Sequence, residues 1–282
     1  MPEELGSLGI WEQRTDYTIS EGNIDTLPQL FKKDEIRYEY NQWANEWSKN
    51  SCTIFAAVGM ASDLTNYKFS LKEIKEIDEM SYARGRIRGN GWYVQSAVKL
   101  VADWWNANEE LSKKYWKLAY YRISKYDDEV IEWVIDKLYT IDWNYCPTND
   151  YNIDRADWMI DGTNFGTKVN WHSVDVICKE WQRSVKDSYY GRNYNIYWLK
   201  NKLSQISNYG SYFYVYTLVS EDNLEELKRL NEMKTLTENM IADNSAMRHL
   251  TNDEVYRKKL HSMNNVHRQK IADIEQQLKK YL

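Results

Sequence analysis

Apolar residues in the last quarter of the chain recur every three or four positions, which is the period of an amphipathic helix. One run covers residues 224–236 and another covers 260–278. Thr251 and Glu254 have the spacing of a capping box, so we expect a second helix to begin there. The pattern predicts two helices or one interrupted long helix, which serves either as a hairpin packed on the body or as an oligomerisation or docking arm.

The part of the chain before residue 220 predicts helices first and strands afterwards. Helical spacing or helix-start signals mark residues 52–61, 70–80, 91–105 and 127–138. Runs rich in β-branched and aromatic residues predict strands at 174–178, 183–188 and 212–219. A helical first half followed by a strand-rich second half indicates an α+β fold.

A change of composition near residue 220 divides the chain. Residues 221–282 contain no Gly, Pro, Trp or Phe, and they balance 11 basic against 11 acidic residues. We therefore predict an N-terminal extension at 1–39, a folded body at 40–220 and a helical appendage at 221–282. The 43% hydrophobic and 15% aromatic content excludes a disordered chain.

The charge and the termini narrow the classes of partner. The formal net charge is −5, which argues against a general nucleic-acid surface, and we interpret the short basic run Arg84, Arg86 and Arg88 as a solvated loop. No run of 18 apolar residues predicts a membrane span, and the acidic N-terminus lacks the apolar core of a secretory signal. Three widely spaced cysteines argue against a disulfide framework or a zinc cluster, so we expect a reducing compartment.

Histidine and cysteine provide the candidate catalytic residues. Three of the four histidines lie in the helical tail, where we expect solvated side chains, so His172 is the only histidine of the body. Cys52 stands at the start of a predicted buried helix, where the positive end of the helix dipole favours a thiolate. A nearby histidine would favour the thiolate further and could protonate a leaving amine. We interpret Cys146 and Cys178 as loop or packing cysteines.

Five short motifs follow one another along residues 40–220. They are Gln42, Ser51-Cys52, Gly89-Asn90-Gly91, Asn170-Trp171-His172-Ser173-Val174 and Lys186-Asp187-Ser188. Their order resembles that of the papain-like cysteine peptidases of the C1 type, which have a glutamine, a Ser-Cys helix start, a Gly-Asn-Gly loop, an Asn-His strand and a Lys-Asn-Ser strand. The resemblance implies a papain-like body with a helical N-terminal half, an antiparallel sheet in its C-terminal half and a C-terminal helical appendage.

The resemblance also implies the catalytic roles. Cys52 would be the nucleophile, His172 its base and later the general acid, and Asp187 would orient the imidazole in place of the family's asparagine. Gln42 would donate its side-chain amide to the oxyanion, together with the backbone N–H of Cys52. Gln42 lies farther from Cys52 than in the family, so the intervening loop must bulge. Otherwise Gln42 is a surface glutamine and Asn50 serves instead.

A substrate-binding segment follows from the same resemblance. Trp92 stands where the family has a second glycine, and its side chain would narrow the cleft. Tyr93 and Val94 would form an apolar pocket. Alternatively, the two aromatic residues are ordinary packing residues. The segment comprises Asn90, Gly91, Trp92, Tyr93 and Val94.

The implied activity is thiol-dependent hydrolysis of peptide or amide bonds through a thioester acyl-enzyme. We expect a polypeptide substrate and no metal or other cofactor. If an amine replaced water, the same groups would perform transglutamination or transpeptidation, and the residues do not separate these reactions. A peptidoglycan endopeptidase with the same order of cysteine and histidine is another interpretation.

A structural role is the alternative hypothesis. A composition rich in Asn, Tyr and Trp and poor in Pro is typical of bacteriophage proteins, so the chain could be a virion component built on a papain-like fold. Residues 221–282 would then attach it to a homo-oligomer or a larger assembly. We accordingly expect a cytoplasmic or virion-associated protein that neither enters a membrane nor binds nucleic acid. An inactive scaffold need not keep Cys52 and His172 within hydrogen-bonding reach.

Overall fold

The computed structural model describes nine stretches of the chain. They are residues 40–88, 90–124, 128–136, 140–145, 159–160, 172–179, 182–188, 196–199 and 212–278. The predicted extension at 1–39, Gly89 and Cys146 lie outside these residues.

Helices dominate the first half of the described chain, as the apolar spacing predicts. Ser70 caps α2 with both hydrogen bonds of a capping box, which confirms the predicted helix start. Helix α4 was not predicted, because it is short and carries mainly charged residues. The helices are α1 Cys52–Thr65, α2 Leu71–Ala83, α3 Val94–Ala107, α4 Glu109–Tyr115 and α5 Asp128–Asp136.

Seven strands of the described residues form one sheet. Its order is β1-β7-β2-β4-β5-β6-β3, and neighbouring strands are antiparallel except for β3 and β6. The α+β class is therefore confirmed. The strands are β1 Lys117–Ser124, β2 Ile141–Tyr145, β3 Met159–Ile160, β4 His172–Lys179, β5 Gln182–Lys186, β6 Ile196–Leu199 and β7 Tyr212–Val219.

Helix α1 is the centre of the body. It is in contact with α2 and α3 on one side and with β2, β4 and β7 of the sheet on the other. All of its residues except Asp63 are buried, which explains why its sequence is apolar nearly all round. Because α1 begins at Cys52 and lies against β4, the fold brings Cys52 close to the start of that strand.

The C-terminal tail forms an antiparallel pair of helices, α6 Glu221–Leu250 and α7 Glu254–Leu278. Leu224, Leu227 and Leu230 join the core of the body at the base of this hairpin, together with residues near the end of α7. Toward the tip the apolar side chains are exposed, with Leu250 at 84% and Val255 at 78%. The predicted stripe is therefore buried mainly near the body, although Leu260 of α7 is buried as well.

The start of α7 differs from the predicted capping box. The Asp253 carboxylate accepts hydrogen bonds from the backbone N–H groups of Val255 and Tyr256, so Asp253 caps the helix. Thr251 accepts from the N–H of Asp253 and does not bond Glu254. Among the described residues, no helix combines the length and the apolar character needed to cross a membrane.

Candidate active site

Cys52 is the first residue of α1 and carries a free, fully buried thiol. The helix is well formed from its first turn, since the N–H groups of Ile54 and Phe55 both donate to the carbonyl of Ser51. The positive end of the helix dipole lies at this terminus and favours a negative charge on the sulfur. The position predicted from sequence is thus a position where a cysteine is readily activated.

His172 and Asp187 meet across the hairpin formed by β4 and β5. His172 opens β4 and Asp187 follows the last residue of β5, so strand pairing brings together two residues that are 15 positions apart. The distance from His172 Nε2 to Asp187 Oδ1 is 2.7 Å, and both side chains are fully buried. The carboxylate therefore hydrogen-bonds Nε2 of the ring, and the second ring nitrogen is Nδ1.

The Cys52 thiol lies next to the imidazole of His172 and completes the group. Burial by itself lowers the pKa of His172, but the charge and hydrogen bond of Asp187 and the contact with Cys52 together raise that pKa to about 10. The imidazole therefore holds its proton firmly at neutral pH. A protonated imidazole beside a thiol is one requirement for a thiolate–imidazolium pair.

Gln42 is buried beside this group and is not a surface glutamine. Its backbone N–H donates to the carbonyl of Ser188, and its Oε1 accepts from Ser188 Oγ at 2.8 Å. Ser188 directly follows Asp187, so these bonds hold Gln42 next to the end of β5. Two short 3₁₀ turns, Gln42–Ala44 and Glu46–Ser48, take up the longer separation from Cys52. The alternative in which Asn50 replaces an exposed Gln42 is therefore wrong.

The carboxamide of Gln42 makes one hydrogen bond that the sequence did not predict. Its Nε2 donates to the carbonyl of Lys49 at 3.0 Å, within the loop that leads to Cys52. A primary amide carries a second N–H, and that is the donor available to an oxyanion. Ser48 Oγ donates to the carbonyl of Gln42 and closes the same loop.

The predicted substrate-binding segment divides into core and surface residues. Trp92 and Val94 are 5% and 1% exposed and pack in the hydrophobic core, as the interpretation of Trp92 as a packing residue implies. Tyr93 is partly buried against the same core and directly precedes α3. Asn90 is exposed, whereas Gly91 is buried. The side chains of Asn90 and Tyr93 are thus the ones that reach solvent.

A second set of buried polar groups lies on three neighbouring strands of the sheet, and the sequence did not predict it. Asp142 of β2, Asp175 of β4 and Lys186 of β5 face one another in one row across three strands. Lys186 Nζ lies 3.3 Å from Asp175 Oδ2 and 2.7 Å from Asp63 Oδ2 of α1. The signal in the sequence was a single carboxylate inside each of two strands, Asp142 in β2 and Asp175 in β4.

Asp142 is the member of this row that couples to the histidine. Ser173 Oγ donates to Asp142 Oδ1, and Ser173 follows His172 in the chain. Burial raises the pKa of Asp142 to about 7, although the hydrogen bond from Ser173 and the charge of His172 both oppose the shift. Burial also raises the pKa of Asp175 well above its ordinary value, against the nearby charge of Lys186.

The short basic run does not form a solvated patch. Arg86 is buried, with its Nη1 at 2.5 Å from Asp78 Oδ1 of α2. Arg84 instead pairs with Asp103 at an exposed site, and Arg88 lies over the ring of Tyr82. The interpretation of all three arginines as a solvated loop was therefore wrong for Arg86.

In the part of the chain that the structure describes, no three His, Cys, Asp or Glu side chains are grouped so that they could hold a metal ion. The described site offers a thiol, an imidazole, a carboxylate and a carboxamide. Such a set can carry out nucleophilic and acid–base chemistry through its own side chains. In comparisons with known proteins, neither a family model nor a curated protein matched this chain.

Proposed function

We propose that the chain is a papain-like thiol hydrolase that cleaves peptide or amide bonds with Cys52, His172 and Asp187. One observation carries the proposal: the buried chain of contacts from the Cys52 thiol through the His172 ring to the Asp187 carboxylate, with the last contact at 2.7 Å. The three residues come from a helix start, a strand start and a strand end that are far apart in sequence. A packing role for each residue separately does not account for this order of contacts.

The first half of the reaction forms an acyl-enzyme. The Cys52 thiolate attacks the carbonyl carbon, and its electron pair forms the C–S bond while the C=O electrons move to the oxygen. The backbone N–H of Cys52 and the second N–H of the Gln42 amide stabilise that oxyanion. When the C–N bond breaks, His172 gives its proton to the leaving amine, and a thioester remains.

The second half releases the product. Water attacks the thioester carbon and loses a proton to the neutral imidazole of His172. The C–S bond then breaks, the acid product leaves, and the thiolate–imidazolium pair is restored. Asp187 keeps the ring in one tautomer throughout, because it accepts the N–H at Nε2. An amine in place of water would give transfer instead of hydrolysis.

The retained contact between Cys52 and His172 favours this function over an inactive scaffold. An assembly component would need the core of the body and the exposed hairpin, but not a buried charge-stabilised pair at a helix start. Burying ionisable groups costs free energy that only good pairing and further hydrogen bonds offset. Cys52 and His172 are both fully buried in this structure, so a substrate must displace the groups that cover them.

The test is the rate at which iodoacetamide, a reagent small enough for a covered site, modifies each cysteine between pH 4 and 9. Mass spectrometry separates Cys52 from Cys146 and Cys178, which serve as controls within the same chain. We expect Cys52 to react about 10²-fold faster than the controls at pH 6, because an ordinary thiol ionises near pH 8.5.

The matched variant is His172→Gln, which keeps an N–H donor near Asp187 but cannot act as a base. It should bring Cys52 back to the pH dependence of an ordinary thiol, while circular dichroism shows an unchanged fold. Equal and slow labelling of all three cysteines in the wild-type protein, with no change in the variant, would reject the proposed function and leave the structural role.

A further inference from the structure

The guanidinium of Arg86 lies just beyond the catalytic group, and each of its five N–H positions has an acceptor in reach. Nε donates to the carbonyl of Asn90 at 3.1 Å. Nη1 donates to Asp78 Oδ1 at 2.5 Å and lies 3.4 Å from Ser81 Oγ. Nη2 donates to the carbonyl of Asn50 at 2.7 Å and to Ser51 Oγ at 3.1 Å. A side chain whose N–H donors are all engaged in this way can adopt only one orientation.

The contacts join three segments of the body at one point. Asn50 and Ser51 are the two residues directly before Cys52, Asp78 and Ser81 belong to α2, and Asn90 opens the predicted substrate-binding segment. These segments are up to 36 positions apart in sequence from Arg86. The ion pair of Arg86 with Asp78 is almost fully buried, at 1% and 2% exposure of the two side chains.

Ser51 shows how this cluster acts on the start of α1. A serine at an N-cap ordinarily accepts a hydrogen bond from the backbone of its own helix. The Ser51 side chain makes no such bond, and instead donates to Asp78 Oδ1 at 2.5 Å while it accepts from Arg86. The helix start that carries Cys52 is thus fixed from outside by the ion pair and not by its own cap.

We propose that Arg86 is a positioning residue for Cys52, an inference that rests on the proposed thiol chemistry. By holding the Asn50 carbonyl and the Ser51 hydroxyl, it fixes the peptide next to the one that carries the Cys52 N–H. By holding the Asn90 carbonyl, Arg86 fixes the position of the predicted substrate-binding segment relative to the Cys52 thiol. The thiol therefore stays within reach of His172, and a substrate lies at a set distance from the sulfur.

An arginine is required here because of its geometry. Its planar fork presents donors in fixed directions, whereas a lysine offers one compact ammonium with three donors on a flexible stem. Lysine at position 86 would keep the charge opposite Asp78 but could not also reach Asn50 and Asn90. The charge-conserving change Arg86→Lys therefore removes positioning more than pairing.

The experiment compares Arg86→Lys with Arg84→Lys, a matched change two residues away at an exposed ion pair with Asp103. The measured quantities are the pH midpoint of Cys52 alkylation by iodoacetamide and the thermal unfolding temperature of the full chain. In Arg86→Lys we expect the midpoint to rise by at least one unit toward the ordinary thiol value near 8.5, with a roughly tenfold lower rate at pH 6. Arg84→Lys should keep the wild-type profile.

A purely structural role would lower the unfolding temperature of Arg86→Lys and leave the alkylation midpoint at the wild-type value, and that result would overturn the inference. If Arg86→Lys does not fold, Ser51→Ala decides, because it removes only the hydroxyl between the ion pair and Cys52. A smaller shift of the midpoint in the same direction supports the inference, and an unchanged midpoint rejects it. A wild-type protein without His172-dependent labelling rejects the proposed function instead, so the two failures are distinct.

Discussion

The body and the helical hairpin use charged and polar residues in opposite ways. In the body, the ion pairs around α1 are largely buried and join distant positions: Lys186 and Asp63 are 123 residues apart and meet at 2.7 Å. In the hairpin, pairs such as Lys258 with Glu254 lie on the surface one helical turn apart. Exposed pairs contribute little to stability, whereas a buried pair is strongly felt when one partner is lost.

The two regions therefore differ in where they bury ionisable groups. Burial of ionisable groups in the body is concentrated beside Cys52 and His172, and pairing offsets part of its cost. The hairpin places its charges in water and a set of apolar side chains at its tip, where Leu250 and Val255 are exposed. A buried polar centre suits chemistry, while an exposed apolar tip is a feature of interaction surfaces. The following changes test how far this contrast extends.

Removing the cation from the buried cluster should have the largest effect. Lys186→Met keeps the length of the side chain but leaves Asp63 and Asp175 without their shared partner, so we expect a loss of about 3 to 5 kcal/mol in the free energy of unfolding. Lys113→Met, at an exposed pair with Glu109, is the control and should change nothing measurable. Urea denaturation measures both, and equal effects would contradict the contrast.

Neutralising Asp142 should change the pH dependence of stability. Its folded pKa of about 7 lies above the ordinary value of 3.8. The protein therefore loses stability as pH rises between these values, because the unfolded chain releases this proton while the folded protein retains it. Asp142→Asn still accepts the Ser173 hydrogen bond and should remove that loss, on the order of 2 to 4 kcal/mol. Unfolding measured from pH 4 to 8 tests this, and a slope like that of wild type in the variant would contradict it.

A methyl group on Gly59 should disrupt the same cluster by a steric route. A Cβ at this position of α1 would lie 2.2 Å from Asp175 Oδ2 and 3.3 Å from Lys186 Nζ. Gly59→Ala should therefore destabilise the protein by about 1 to 3 kcal/mol, although alanine normally stabilises a helix relative to glycine. In an Asp175→Ala background the penalty should disappear, and a double-mutant cycle from denaturation curves measures that coupling.

The hairpin has one buried polar pair of its own, and it provides the smallest expected effect. Asn244 Nδ2 donates to Asn264 Oδ1 at 3.0 Å between α6 and α7. Asn264→Leu should cost about 1 to 2 kcal/mol, because it leaves the Asn244 amide without this acceptor. Replacing both asparagines by leucine should restore or raise the thermal unfolding temperature. A double variant less stable than the single one would show that the hairpin depends on polar pairing as the body does.

The elements with strong local signals were predictable. The capping box of α2, the buried run of α1 and the closing strand β7 all appear where the sequence indicated them. Strands β1 and β2 were not predicted, because their mixed polar sequences become strands only through pairing, β1 with β7 and β2 with both β7 and β4. The Thr251 cap was misassigned because Asp253, closer to the helix, accepts from the N–H groups of Val255 and Tyr256 and so caps the helix itself.

The candidate site was predictable to a similar degree. The order of Cys52, His172 and Asp187 could be read from short motifs, and the structure brings these three residues together. Arg86 could not be predicted, since nothing within its own loop indicates that Asp78 and Asn50 will surround it. Trp92 was assigned to substrate binding by resemblance, but its side chain is buried in the hydrophobic core of the body.

The sequence by itself determined where α1 and α2 begin, which residues bear reactive groups and in what order they follow one another. Such features depend on hydrogen bonds and periodicity within one or two turns of chain. Only the tertiary structure decided which ionisable groups leave water and which partner each one meets. The contact of Gln42 with Ser188, 146 positions away, is one such outcome. Desolvation and pairing depend on distances in space, and these follow from the packing of the whole body around α1.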